Sequence, residues 1–216
     1  ILDTVYFGDA EGDGAKTIIP PSSWAHDSNI AEIEYSINKA RALLAQAGLA
    51  NGFTIDLWAM PVQRAYNPDA VTMAKLIQAD LNQVGITVNI VSYNWQEFLR
   101  RLALGEHQSV LLGWSADHPD PDNFFTPLLS CASAETGNNR TFWCNQAFDQ
   151  LIQQALTTTD INERKALYSQ ALQIAYDELP LLPIAHSKRF QARSDKINGK
   201  LLNSFGGISF HGVTKN

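Results

Sequence analysis

One pattern constrains this chain more than any other: two short β-rich runs separated by one long amphipathic stretch. Phe53-Thr54-Ile55-Asp56-Leu57-Trp58 and Ile86-Thr87-Val88-Asn89-Ile90-Val91 have strand composition. Between them, residues 69–84 carry Val71, Ala74, Leu76, Ile77, Leu81 and Val84 at helical spacing. A strand, a helix and a strand joined by short connections form a right-handed crossover, which makes the two strands parallel neighbours in one sheet. A further helix over about 95–104 leads through Gly105 into a third apolar run, Ser109-Val110-Leu111-Leu112-Gly113.

Other elements can be read around this unit. Ser36 is placed to cap a helix through residues 40–47 that Gly48 ends. The opening residues, Ile1 to Tyr6, are expected to close a strand that runs into a loop over 7–14. Residues 114–123 form a loop rich in Pro and Asp. A helix is expected over 146–156 with Phe148, Leu151, Ile152 and Leu156 on one stripe. A second runs from the cap Asp160, with Glu163 three residues on, to about Leu179 before Pro180. Residues 181–185 suggest a short buried strand, and the tail from Arg193, with Ile197, Leu201, Phe205 and Phe210, a strand-and-loop return. The chain lacks an initiator Met and its first residues lack a secretory layout. The expectation is that it begins within a longer protein.

Composition narrows the function classes. With 216 residues, 45% of them hydrophobic, the chain can bury one sizeable core. Its 16 Lys+Arg against 22 Asp+Glu give a net charge of −6, which argues against a nucleic-acid partner and suits a cationic or zwitterionic one. No run approaches the roughly 20 apolar residues of a membrane span. Cys131 and Cys144 lie 13 positions apart around a polar, turn-prone segment, 133–140. A disulfide there would contribute about 3 kcal/mol and imply an oxidising compartment; two separately packed thiols are the alternative. With no third Cys or nearby His, metal ligation is disfavoured.

In open α/β sheets, ligands bind beyond the carboxyl ends of parallel strands. Two loops qualify here, residues 60–68 after the first strand and 114–122 after the third. Arg64 would clamp a carboxylate and Asp117 receive an ammonium group, with Tyr66 and Trp114 as walls. The plainer alternatives are a surface salt bridge or helix-loop clamp for Arg64, turn formation for the aspartates, and a core position for Trp114. Turn formation is preferred for Asp120 and Asp122. The acidic run lacks the Gly of a calcium loop and is stiffened by prolines. His26, His107, His118, His186 and His211 show no metal-ligand spacing, and no motif nominates a nucleophile.

These same residues carry a resemblance. Residues 56–64, Glu106-His107-Gln108, Gly113-Trp114 with Asp117, residues 120–125, Ser130-Cys131-Ala132 and Trp143-Cys144 resemble the dipeptide-binding branch of the periplasmic peptide-binding proteins, the receptors of ABC peptide importers. The ending, residues 204–210, and Ser23-Trp24-Ala25 look closer to the Sap group, implicated in antimicrobial-peptide handling; Arg64 and Tyr66 follow the dipeptide receptors. The resemblance implies an α/β fold, one lobe of a bilobed binding protein with βαβ units, a central mixed sheet and flanking helices. Residues 1–186 would form the C-terminal ligand-binding lobe, and 187–216 would return toward an N-terminal lobe outside this chain. It further implies that Asp117 anchors a peptide's amino group, Arg64 its carboxylate, that Tyr66 lines the pocket, and that Cys131 and Cys144 are bonded. The expected protein is non-enzymatic, periplasmic, without cofactor or metal, a monomer when intact, and partnered by short peptides and membrane permease subunits. Alternatives are another cargo of the superfamily, such as an antimicrobial peptide, haem or a nickel complex, and, from another class, a hydrolase or protein-interaction module.

Overall fold

A computed structural model describes residues 1–8, 12–202 and 207–216. In chain order the elements are α1 (Leu2–Val5), β1 (Gly12–Gly14), α2 (Ile37–Gln46), β2 (Phe53–Trp58), α3 (Ala70–Asn82), β3 (Ile86–Val91), α4 (Trp95–Ala103) and β4 (Ser109–Val110). There follow α5 (Asp122–Leu129), α6 (Cys131–Thr136), α7 (Gln146–Thr157), α8 (Ile161–Glu178), β5 (Ala185–Ser187), β6 (Ile197–Asn198) and β7 (Thr214–Lys215). They divide into two compact units, Ile1–Gly12 with Glu32–Gly113 and Asp13–Ala31 with Trp114–Asn216.

The first unit is built on a three-stranded sheet in the order β3-β2-β4. The predicted crossover is present: β2 and β3 pair in parallel, Phe53 opposite Ile86 through Trp58 opposite Val91. β4 adds in parallel on the other side of β2, Leu57 opposite Ser109. It is shorter than the apolar run 109–113, because β2 ends at Trp58 and only one further bond, Leu111 N–H to the Trp58 carbonyl at 2.9 Å, extends the ladder. The carboxyl end of β2 is buried at Leu57 and Trp58, and burial continues through Ala59 and Met60. α3 begins at Asp69, whose carboxylate accepts the Thr72 N–H at 2.9 Å. Its buried face is Ala70, Met73 and Ala74; Val71, expected on that face, is exposed.

Glycine is required where the turns entering β2 and β3 meet. Gly52 and Gly85 have φ of +73° and +86°, and a Cβ at position 52 would lie 1.9 Å from the Gly85 carbonyl oxygen. α2 is capped as expected by Ser36, which accepts the Lys39 N–H at 3.2 Å. It ends with Gly48 at φ +76°, the Leu49 N–H bonding the Leu44 carbonyl. On α4, Glu97 accepts from Arg100 at 2.8 Å and from Arg101 at 2.6 Å, and these bonds hold its carboxyl down at about 2.

The second unit is mainly helical. α7 packs on α8 through Phe148, Ile152 and Ala155 against Tyr168, Ala171 and Leu172. Ala155 takes the place expected for Leu156, which is exposed. Phe125 of α5 stacks on Tyr168 with centroids 4.6 Å apart, and Trp143 meets Phe148 edge-on at 5.1 Å. Cys131 and Cys144 form a disulfide. Asp160 caps α8, accepting the N–H groups of Asn162 and Glu163 at 2.8 and 3.0 Å.

Four local expectations are corrected. Leu2–Val5 is a single helical turn rather than a strand end, closed by the Val5 N–H on the Ile1 carbonyl. The expected loop over 7–14 ends in strand β1, which pairs with β5, while residues 9–11 lie outside the described residues. Strand structure begins at Ala185, after the run 181–184, because Pro180 and Pro183 bring no N–H to a ladder; Leu182 is exposed. Asp122 and Asn123, expected in the loop 114–123, open the helix α5, and residues 133–136 of the expected turn-prone segment belong to the helix α6. In the tail, β6 and β7 pair antiparallel and Phe210 is exposed; Phe205 lies outside the described residues.

Two outcomes follow from this architecture. Reducing the Cys131–Cys144 bond in the intact protein should lower the stability measured by denaturant unfolding by about 3 kcal/mol. The Glu97 carboxyl titrates near 2 when folded and near 4.5 when free, so its contribution is complete above pH 4.5 and declines as the pH falls toward 2. The stability gap between the parent and Glu97→Gln should therefore be open at pH 7 and closed at pH 2, read by chemical unfolding at both values.

Candidate functional site

The loop that leaves the buried carboxyl end of β2 is fixed stepwise. The Ala59 N–H bonds the Val91 carbonyl at 2.9 Å, and the Ser92 hydroxyl donates to the Ala59 carbonyl at 2.9 Å. The chain then folds into a tight turn in which Arg64 and Asn67 exchange both backbone bonds at 3.0 Å. Asn67 is buried and donates to the Met73 sulfur on α3 at 3.5 Å, which ties the turn to the helix. Tyr66 at the tip is held from two sides. The Tyr6 hydroxyl donates to its carbonyl at 2.8 Å, and its ring lies so close to Gly113 that a Cβ there would sit 2.3 Å from Cδ2. Burial pushes the Tyr66 hydroxyl up, opposed by the nearby Arg64 charge, so it remains a proton donor at neutral pH. The Arg64 guanidinium lies 4.7 Å over the Trp95 ring, which stacks on Phe98 at 5.7 Å. Among the described residues Arg64 makes no ion pair with a carboxylate.

The second unit organises the loop of Trp114 and Asp117 differently. Asp120 anchors its far end by a carboxylate that receives Arg164 at 2.9 and 3.0 Å and the Asp122 N–H at 3.0 Å. The same Arg164 lies over Trp24 at 5.1 Å and donates to the Tyr168 hydroxyl at 3.1 Å, a hydroxyl that burial pushes up to about 12. Asp122 receives the Thr126 hydroxyl at 2.6 Å, and burial raises its carboxyl. Asp120 acts in the turn as expected, whereas Asp122 is the first residue of α5; the Arg164 pair is an addition that nothing in the loop's own sequence signals. Trp114 is half-buried and donates its indole N–H to Asn123 at 3.0 Å. Asp117 is exposed and donates its backbone N–H to the same oxygen at 3.0 Å, while its carboxylate makes no hydrogen bond or ion pair among the described residues.

Four residues were expected to bind ligand. The structure brings Arg64 together with Tyr66 in the first unit and Trp114 together with Asp117 in the second. Two supporting residues escape a reading of the sequence: Trp95, which opens α4, and Asn123, which looks like one more turn former after Pro121. The histidines are dispersed, His26 bonding the Ile19 carbonyl at 3.1 Å and His107 packing 5.8 Å from Trp58. Among the described residues no three His, Cys, Asp or Glu side chains are grouped to hold a metal ion, and no helix is long and apolar enough to cross a membrane.

Residues 1–136 match the family model described as bacterial extracellular solute-binding proteins, family 5 Middle. The chain belongs to this family of solute-binding proteins. It is 46% identical over 214 residues to the dipeptide-binding protein of Escherichia coli strain K12, covering 99% of this chain and 40% of that protein. To the peptide transport periplasmic protein SapA of Salmonella typhimurium it is 40% identical over 215 residues, covering 100% of this chain and 39% of the relative. A crystal structure of the dipeptide binding protein from Pseudoalteromonas sp. SM9913 in complex with Met-Leu superposes with a TM-score of 0.89 at 47% identity, covering 100% of this chain and 42% of that one. This family 5 chain thus spans about two fifths of its relatives' length and has the fold of one lobe of a periplasmic binding protein. The relatives are solute-binding proteins, not enzymes.

The Tyr66–Gly113 contact yields a cycle of variants in the intact protein. Gly113→Ala should cost about 1–3 kcal/mol by overpacking the Tyr66 ring. Much of that cost should vanish in a Tyr66→Ala background, as measured by denaturant unfolding of all four proteins.

Proposed function

We propose that this chain is the C-terminal part of a receptor that captures short peptides in the periplasm and delivers them to the membrane permease of an ABC importer. Asp117 receives the peptide's ammonium group, Arg64 takes its carboxylate, and Tyr66 and Trp114 supply apolar walls. Residues 1–186 form the ligand-binding lobe and 187–216 return toward the remainder of the receptor. The protein binds and releases without chemistry, as a monomer and without cofactor.

One observation carries the assignment of roles. In a loop with three aspartates, Asp120 and Asp122 are engaged internally by Arg164 and Thr126, whereas the Asp117 carboxylate has no partner among the described residues and is exposed. A carboxylate kept on a pinned backbone without an internal counter-ion suits a cationic ligand group. Arg64 supports the complementary role, because its guanidinium sits over the Trp95 ring and makes no ion pair with a carboxylate among the described residues. The names of the relatives, a dipeptide-binding protein among them, support the ligand class.

The test is calorimetric titration of the intact protein with Met-Leu. Asp117→Asn should weaken binding roughly 10- to 100-fold, the equivalent of one hydrogen bond to a charged group. Arg64→Gln should do the same, with little further loss for the C-terminal amide of the peptide. Unchanged affinity in Asp117→Asn overturns the assignment. Native mass spectrometry of protein purified from cells identifies a different cargo, such as an antimicrobial peptide, haem or a nickel complex, if one is carried.

A further inference from the structure

Asn123 is buried at the start of α5, and every polar atom of its side chain is used. Its oxygen accepts two N–H groups at 3.0 Å, from the Trp114 indole and the Asp117 backbone. Its nitrogen lies 3.1 Å from Nε2 of His118. This pattern fixes the amide's orientation. Two donors converge on one atom, so that atom is the oxygen, and a flip would set an NH2 group against two N–H groups. The amide nitrogen therefore donates to His118, whose Nε2 accepts and whose ring proton sits on Nδ1. One side chain thus ties together three residues of a loop that holds no regular structure of its own.

We propose that Asn123 is the positioning residue for the ammonium-binding end of the site, fixing the Asp117 backbone and the Trp114 ring in one arrangement before ligand arrives. This rests on the role proposed for Asp117. The physical basis is preorganisation: a loop already ordered has less conformational freedom to lose when ligand binds. Asp117 is well suited to such support, because its carboxylate has no internal bond to orient it. Its placement depends on its backbone, and Asn123 holds that backbone through the N–H of Asp117 itself.

The experiment uses the intact protein and two probes, Met-Leu and N-acetyl-Met-Leu, which lacks the cationic terminus. The readout is the ratio of the two dissociation constants, which a general loss of packing would leave unchanged. Asn123→Leu is similar in volume and removes all three bonds; it should lower the ratio at least about tenfold, the order of one or two hydrogen bonds. Asn123→Asp keeps an oxygen facing the Trp114 and Asp117 donors and should hold the ratio within about threefold. Hydrogen exchange should quicken in residues 114–123 for Asn123→Leu and not for Asn123→Asp. If Asn123→Leu does not fold, Asn123→Ser, too short to reach both donors, replaces it with the same expectation. Asp117→Asn is the reference. A ratio that collapses in Asp117→Asn but persists in Asn123→Leu overturns the positioning role and leaves the binding role intact. A ratio that persists in Asp117→Asn overturns both.

Discussion

The parallel pairing of β2 on both of its edges is the constraint from which the first unit follows. A strand flanked by two parallel partners needs a crossover on each side, and here α3 provides one and α4 lies on the other route. The arrangement sends the carboxyl ends of β2 and β4 the same way and buries residues 57–60. A chain leaving a buried strand end must satisfy its backbone at once, which the Ala59 bonds and the Arg64–Asn67 turn achieve. The positions of Arg64 and Tyr66 are consequences of that need, with Trp95 and Gly113 shaping what the two side chains can do.

The second unit obtains the same precision without a sheet beneath its loop. Its core is aromatic, with Phe125, Phe148 and Tyr168 in contact, and the loop is pinned to that core at one end by a half-buried ion pair and at the other by an amide. Arg164 belongs to α8 and Asp120 to a segment 44 residues earlier, so the anchor joins distant parts of the chain. Such a pair is worth more for fixing geometry than for stability, since burying both charges offsets much of their attraction.

What could be read in the sequence was local periodicity and capping. β2, β3, α3, α4, α7 and α8 each announce themselves through a clear period or a cap such as Asp69 or Asp160. The elements that escape lack a clear period. α5 contains Pro127 and α6 buries no residue, so neither carries a stripe; they are held by packing, by the Ser130 cap and by the disulfide. The prolines around residue 182 mislead in the other direction, apolar composition suggesting a strand that the missing N–H groups prevent. Arg64, Tyr66, Trp114 and Asp117 could be nominated from their place after strands. Trp95 and Asn123 could not, because their significance lies in what they touch and no spacing rule encodes it.

The meeting of Gly52 and Gly85 carries a consequence for how this sheet can change. Two turns that touch backbone to backbone form one steric object, although 33 residues of chain separate them. Gly52 cannot acquire a side chain, because the room it would need is filled by the Gly85 carbonyl, and Gly85 is held to glycine by its φ of +86°. The spacing between the starts of β2 and β3 is therefore set by the bare α-carbon of Gly52 against the Gly85 carbonyl, and the register that carries the loop of Arg64 and Tyr66 is inherited from that contact.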